Sequence, residues 1–199
     1  MNALQPLTLT GSLVRLEPLS LEHEAGLIEA VKDGELWRLW YTNIPEPEGM
    51  RAEIERRLAL QGAGSMLPFT TISQRDGRVI GMTTYMNIDA SLPRVEIGST
   101  WNAASAHGSG TNAESKLLLL GHAFETLGCS AVELRTSWHN RQSRAAIEGL
   151  GAKLDGVLRA HARTRDGSLR DTCVYSITAA EWPQTKSTLR FRLGQNVVA

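Results

Sequence analysis

Two neighbouring sets of residues have the types and spacing that chemistry needs. The first is His107-Gly108-Ser109-Gly110-Thr111-Asn112, which follows Val95-Glu96-Ile97-Gly98-Ser99-Thr100-Trp101 and leads into an apolar-periodic segment. A strand feeding a glycine-bearing loop at a helix N-terminus makes an anion site. The first helical turn has N–H groups without intrahelical acceptors, and the aligned peptide dipoles add partial positive charge. Gly108 and Gly110 lack Cβ, so phosphate oxygens can approach the backbone. The GxxxxGK[ST] loop is absent, although Lys116 follows Ser115, and GxGxxG fails at Ala113. Such a cradle holds phosphate by backbone amides without a P-loop lysine. The bland alternative is a tight loop and nothing more. The second candidate is Glu96, on the strand before the loop. It is either a proton acceptor or a strand carboxylate paired with Arg94 or Arg135. An ordinary glutamate pKa near 4.3 suits a base poorly, so burial must raise it if it acts directly.

The elements that position these residues are legible from periodicity. Val14 to Leu16 reads as a strand, and Ser20 caps a helix from Leu21 to Lys32. Pro47 to Leu60 is a second helix with a Glu53/Arg57 pair at i,i+4. Phe69–Ser73 and Val79–Ile88 form a hairpin across Arg75-Asp76-Gly77-Arg78, and Arg94–Trp101 is a further strand. Ala113, Leu117, Leu120, Phe124 and Leu127 lie on one helical face, Thr111-x-x-Glu114 has capping-box form, and Gly128 is a natural stop. A strand over Ala131–Thr136, a helix over Asn140–Leu150, and a hairpin of Val157–Thr164 with Leu169–Ile177 follow, then a short helix over Pro183–Arg192. This order predicts an α/β (α+β mixed) fold with a largely antiparallel sheet.

After the strand ending at Thr136 come Asn140-Arg141-Gln142-Ser143 and Leu150-Gly151-Ala152. The order strand, xxGxG loop, helix, strand, Asn-x-x-Ser, then Leu-Gly resembles the GNAT superfamily of acetyl-CoA-dependent N-acetyltransferases. Within it, the chain is similar to the branch containing the ribosomal-protein serine/alanine N-terminal acetyltransferases. The block carrying the resemblance is 94–152. The resemblance implies a GNAT-like domain over 1–199, with a twisted, mostly antiparallel sheet of about seven strands flanked by about four helices. It implies acetyl-CoA as co-substrate and an amine acceptor. The family's Gln/Arg-x-x-Gly-x-Gly/Ala loop falls on Ser105 to Gly110, where Ser105 departs from the pattern. His107, Gly108, Ser109, Gly110, Thr111 and Asn112 become the coenzyme loop. Ser99 and Trp101 lie on the strand beside the pantetheine. Asn140 and Ser143 approach the pantetheine and thioester. Glu96 becomes the candidate base, acting through water, and an N–H near Gly98 to Thr100 stabilises the oxyanion. A tyrosine acid common in the superfamily falls on Ile147, so Ser143 is either a substitute acid or a capping residue. His107 meets phosphate or the adenosine end, or is solvated. Trp37, Trp40 and Tyr41 shape the acceptor pocket or form a hydrophobic corner. Arg141 or Arg144 reaches the 3′-phosphate, or both are solvated.

Composition narrows the classes. The 199 residues carry 21 Lys plus Arg and 21 Asp plus Glu, a formal charge of zero. Broad attraction to nucleic acid or an anionic membrane is not expected. No apolar run approaches the ~20 residues that span a bilayer, and Met1 to Thr10 lacks a secretory signal's charged and apolar regions. The expected location is cytoplasmic. Cys129 and Cys173 read as reduced packing residues, and His23, His122, His139 and His161 show no metal spacing. The acceptor is a protein N-terminus or a small-molecule amine. An α-amine with a pKa of about 8 needs less base than a lysine near 10.4. Two alternatives stand: a non-catalytic acyl-CoA-binding regulatory domain, which Ile147 keeps open, and a nucleotide module using the same loop. Strand edges near the C-terminus are compatible with a homodimer.

Overall fold

A computed structural model describes residues 4–88 and 91–195; positions 1–3, 89–90 and 196–199 of the expected 1–199 domain lie outside the described residues. Its strands are β1 (Leu9–Thr10), β2 (Val14–Pro18), β3 (Met66–Ser73), β4 (Val79–Met86), β5 (Arg94–Asn102), β6 (Ala131–Ser137), β7 (Lys153–Arg163) and β8 (Leu169–Thr178). Its α-helices are α1 (Glu24–Lys32), α2 (Met50–Gly62), α3 (Thr111–Gly121), α4 (Arg141–Glu148) and α5 (Trp182–Arg192). The strands form one sheet in the order β1-β2-β3-β4-β5-β6-β8-β7. Among the described strand pairs, only β5 with β6 is parallel. Among the described residues there are eight strands and five α-helices, against the about seven and about four that the resemblance implied; α5 is the short helix read over Pro183–Arg192. The extra strand, β1, is two residues long and too short to show a period.

Local chemistry explains most boundaries. The β3–β4 turn closes with Ser73 N–H donating to Arg78 O at 2.8 Å, and Gly77 takes φ +72° there. Pro68 does not end β3, because proline removes only a donor and its carbonyl still accepts from Leu19 N–H at 3.1 Å. The strand therefore starts three residues before the expected Phe69. The helix expected to run to Leu127 stops at Gly121 and widens into a single π-turn over His122–Thr126. Ala123 and Leu127 remain buried through that turn, so the apolar pattern does not reveal the change.

Each sheet face has its own core. Leu119 and Leu120 of α3, Ile147 of α4 and Leu189 of α5 pack with Phe69, Tyr85, Val95, Ile97, Val132 and Leu134. Leu27 and Val31 of α1 and Met50 and Ile54 of α2 pack with Met82 and Trp101 on the other face. Removing one fully buried leucine such as Leu119 costs about 2–5 kcal/mol. The two layers hold a sheet that is split in its middle. β5 and β6 pair only at Arg94↔Ala131, Val95↔Val132 and Glu96↔Glu133, then diverge. The remainder of β5 keeps its ladder to β4 but has no partner in β6.

Candidate active site

That split opens a cleft of about 1100 Å³, lined by β5, β6, the 106–113 segment, α4 and part of β8. At its mouth Gly108 has φ +73° and Gly110, the residue before α3, has φ +85°. A Cβ on Gly108 would meet only open space. Glu114 N–H makes the first intrahelical bond, to Gly110 O at 2.9 Å. Amides before it belong to the unpaired first turn, a geometry suited to an anion. The capping box expected from Thr111 and Glu114 does not form. The Glu114 carboxylate instead accepts backbone N–H groups of Ser12, Leu13 and Val14 at 3.0, 2.6 and 2.8 Å. Three donors about 100 residues away in sequence outcompete one local amide.

The expected coenzyme residues divide into two groups. Ser99, Trp101, His107, Gly108, Gly110, Asn112, Asn140 and Ser143 line the cleft together with Glu96. Ser109 and Thr111 are not among its lining residues. Their hydroxyls lie 2.6 and 3.2 Å from Ala106 O and brace the loop from within. His107 is exposed, and its Nε2 is 3.0 Å from Asn102 O, which ties the ring to the end of β5. Asn140, rather than Ser143, is the cap of α4: its Oδ1 accepts Ser143 N–H at 3.0 Å. Ile147 is buried in the cleft wall and carries no exchangeable proton.

A β-bulge marks the middle of the cleft. Thr84 pairs with Gly98 and Met82 with Trp101, so Thr83 faces both Ser99 and Thr100, and Ser99 sits at φ +47°. Two buried cations hold this bulge; spacing gave Arg57 only as a helix pair and did not place either of them at the site. Arg57 of α2 donates to Thr84 Oγ1 at 2.7 Å and to Ser99 O at 3.3 Å. Its Nε also donates to Glu53 at 2.7 Å, the i,i+4 pair read from sequence. Lys116 of α3 donates to Thr100 Oγ1 at 2.9 Å and Thr83 Oγ1 at 3.2 Å.

Glu96 lies where β5 and β6 part, buried at 7 % exposure. Asn87 Nδ2 donates to it at 2.6 Å, and Arg135 Nε stands 3.6 Å away. Of its two expected partners Arg135 is the one found; Arg94 pairs with Glu133 at 2.6 Å. Burial pushes the Glu96 carboxyl above its ordinary pKa, the Arg135 charge opposes this, and Glu133 adds to it. The net upward direction is what a base working near neutrality requires. Beyond Glu96 the wall includes Tyr41, His161 and Arg170. Trp40 packs on Tyr41 and His139 at the rim, and Trp37 joins the α1/α2 core. Arg144 stacks on Trp138 and donates to Tyr175 OH at 3.2 Å, so its head group is already engaged; Arg141 is exposed.

The cleft fits an acetyl-CoA-sized ligand on observations of its own. Trp101 Nε1, Asn112 Oδ1 and Arg170 Nε are buried without a hydrogen-bond partner, and all three residues line it. Pantetheine amides supply matching donors and acceptors, and the glycine loop matches a diphosphate. Among the described residues no group of three or more His, Cys, Asp or Glu could hold a metal ion, and no helix is long and apolar enough to cross a membrane.

Solved structures carry the same architecture. A candidate acetyltransferase from T. thermophilus is 34% identical with a TM-score of 0.83, covering 96% of this chain and 98% of its own. A GCN5-related N-acetyltransferase from Brucella melitensis is 28% identical, with a TM-score of 0.83 and coverages of 96% and 86%. RimL, a ribosomal L7/L12 alpha-N-protein acetyltransferase, shares the fold at 17% identity and a TM-score of 0.76, covering 89% of this chain and 97% of its own. No curated protein matches the sequence. Residues 14–153, more than half of the chain, match the acetyltransferase (GNAT) domain, and the chain belongs to that family.

Proposed function

We propose that the protein transfers the acetyl group of acetyl-CoA to a primary amine, by direct attack of the amine on the thioester. The acceptor is a protein N-terminus or a small-molecule amine. The observation that carries this reading is the position of Glu96. It is buried at the fork of β5 and β6, in the same cleft as the glycine loop. A donor anchored by its diphosphate at Gly108 to Asn112 runs along the open edge of β5. Its thioester then reaches the Ser99 bulge, where a backbone N–H stabilises the oxyanion.

Strand alternation divides donor from acceptor. Val95 and Ile97 face the α3 core, so Glu96 faces the opposite side of the sheet, with Asn87 and Arg135. The acceptor amine approaches from that side, past Tyr41 and Arg170. Glu96 takes its proton through water. An α-amine suits a single weakly basic carboxylate better than a lysine does, because more of it is already neutral. The RimL neighbour, by its name, acts on a protein α-amine, an acceptor of this class.

Calorimetric titration with acetyl-CoA tests the donor half, and CoA release across a panel of peptide N-termini, polyamines and aminoglycosides tests transfer. Binding with release on at least one amine supports the reading. Binding with release on none would favour a coenzyme-binding domain without turnover. No binding at all would mean that the glycine loop is only a connection.

A further inference from the structure

Among the described residues four buried charges are matched and a fifth is not; one of the four, Glu133, pairs with Arg94 and Arg135. Arg57 has Glu53 at 2.7 Å, Glu96 has Asn87 and Arg135, and Glu114 accepts three backbone amides. Lys116 is 5 % exposed, and among the described residues its ammonium forms no ion pair. Two of its three N–H donors meet the hydroxyls of Thr83 and Thr100. The third is left for whatever occupies the cleft that Lys116 lines.

Among the described residues no acidic group answers it from the elements around it; α5, packed on α3, brings only cations, Lys186 paired with Glu125, Arg192 bonded to Gly149 O, and Arg190. On α3 itself, Glu114 is held by Ser12 to Val14. On β2, Arg15 and Glu17 pair with each other at 2.6 Å. On β4, Tyr85 donates to Leu119 O and lies beside His122. On β5, Glu96 faces the other side of the sheet, and Arg57 reaches the bulge from α2 on that side. Burial alone therefore lowers the Lys116 ammonium to about 7. That is close to the value a proton donor should have at neutral pH.

Acyl transfer to an amine leaves a thiolate that needs a proton. Around the bulge the cleft wall offers hydroxyls, Ser143 and Ser99 among them, that are far weaker acids than an ammonium near neutrality, and Ser99 Oγ already donates to Met86 Sδ; Tyr41 and His161 line the cleft as well. Asn140 caps α4, Ile147 has no exchangeable proton, and the His107 ring is tied to Asn102 O. Lys116 stands at the level of the bulge, bonded to Thr100, on the sheet face from which the donor enters. We propose that Lys116 is the catalytic proton donor to the departing CoA sulfur. The inference rests on the acetyl-transfer reading. The amine nitrogen bonds the acetyl carbon, and the C–S bond breaks with its electron pair on sulfur. An Nζ proton passes to that sulfur. The proton lost by the amine leaves through Glu96 and water, and the neutral Lys116 regains one from solvent.

The test is the pH dependence of kcat for wild type, Lys116→Met and Lys116→Gln, with CoA release measured from about pH 6 to 10 on the amine found above. Wild type should lose rate as pH rises and Lys116 deprotonates. Both variants should lose that descending limb and fall about 100-fold at the optimum. KM for acetyl-CoA should change less than about threefold, since binding is shared with the loop amides. Thermal unfolding reports whether each variant is folded, and the glutamine keeps the test open if the methionine is not. Retention of the descending limb by a folded variant overturns the proposal, as does a rise in KM with kcat unchanged, which would make Lys116 a binding group. A wild type that binds acetyl-CoA but releases no CoA sinks the transfer reading and this inference together.

Discussion

Two buried cations grip the β5 bulge from opposite faces, and they are held in opposite ways. On the α2 side Arg57 is ion-paired to Glu53 and also bonded to Thr84 and Ser99. On the α3 side Lys116 has, among the described residues, two threonine hydroxyls and no ion pair. A buried charge without a counter-charge costs stability, whereas one paired with a carboxylate and bonded to the bulge is a strut. The difference separates a group that holds the site from one that the site holds ready. Positions that break a local rule without structural gain are where function is expected.

The comparison breaks most visibly on the strut. Arg57→Met should destabilise by about 3 kcal/mol, because Thr84 and Ser99 lose their donor and Glu53 keeps only Arg56. At this chain length that is a fall of about 6–12 °C in Tm by calorimetry. Next is the acceptor side. Glu96→Gln should lower kcat about 100-fold and flatten the acidic limb of the pH–rate profile. In wild type that limb should lie above the ordinary carboxylate range, since burial raises the Glu96 pKa. At the mouth, Gly110→Asp should weaken acetyl-CoA about 30-fold in calorimetry. It adds a negative charge to an anion cradle, strains a φ of +85° and brings a Cβ to 3.1 Å from Leu13.

The strut and the reserve cation should differ in sign. Lys116→Met should raise stability by about 1–2 kcal/mol, since a methionine fills the same space without a charge. The gain depends on pH. Wild-type Lys116 titrates at about 7 in the folded chain, against an ordinary 10.5. Between those values the unfolded chain binds the extra proton, so wild-type stability climbs with pH. The methionine's advantage should be largest below about pH 7 and shrink through about pH 10. An advantage independent of pH would contradict a buried, unpaired lysine. The smallest effect should come far from both cations. Arg165→Ala breaks exposed contacts to Glu46 and Trp37 O, at 3.0 and 3.2 Å. It should change stability by less than about 1 kcal/mol in denaturant titration.

Local signals in the chain are reliable where the physics is local. The turns at Gly77 and Gly167 are readable because positive φ is nearly a glycine property. Asn140 is readable as a cap because a short polar side chain reaches its own helix. Glu53 and Arg57 are readable as a pair because helical spacing brings them together. The pattern misleads where a distant partner wins. Thr111 and Glu114 have capping-box spacing, yet Ser12 to Val14 take the carboxylate. Lys116 has the wrong glycine spacing for a phosphate loop, and that spacing says nothing of β4 and β5 closing over it.

The α/β class, the two hairpins, the glycine loop before α3 and the place of Glu96 on its strand were all set by neighbouring residues, because periodicity and turn chemistry need nothing more. Three-dimensional packing settled the rest. It separated β5 from β6 after three pairs, raised the Glu96 pKa, and left Lys116 buried without a counter-charge among the described residues. Those properties depend on burial and on which charges face each other across the sheet, and neither is fixed until strands distant in sequence have packed.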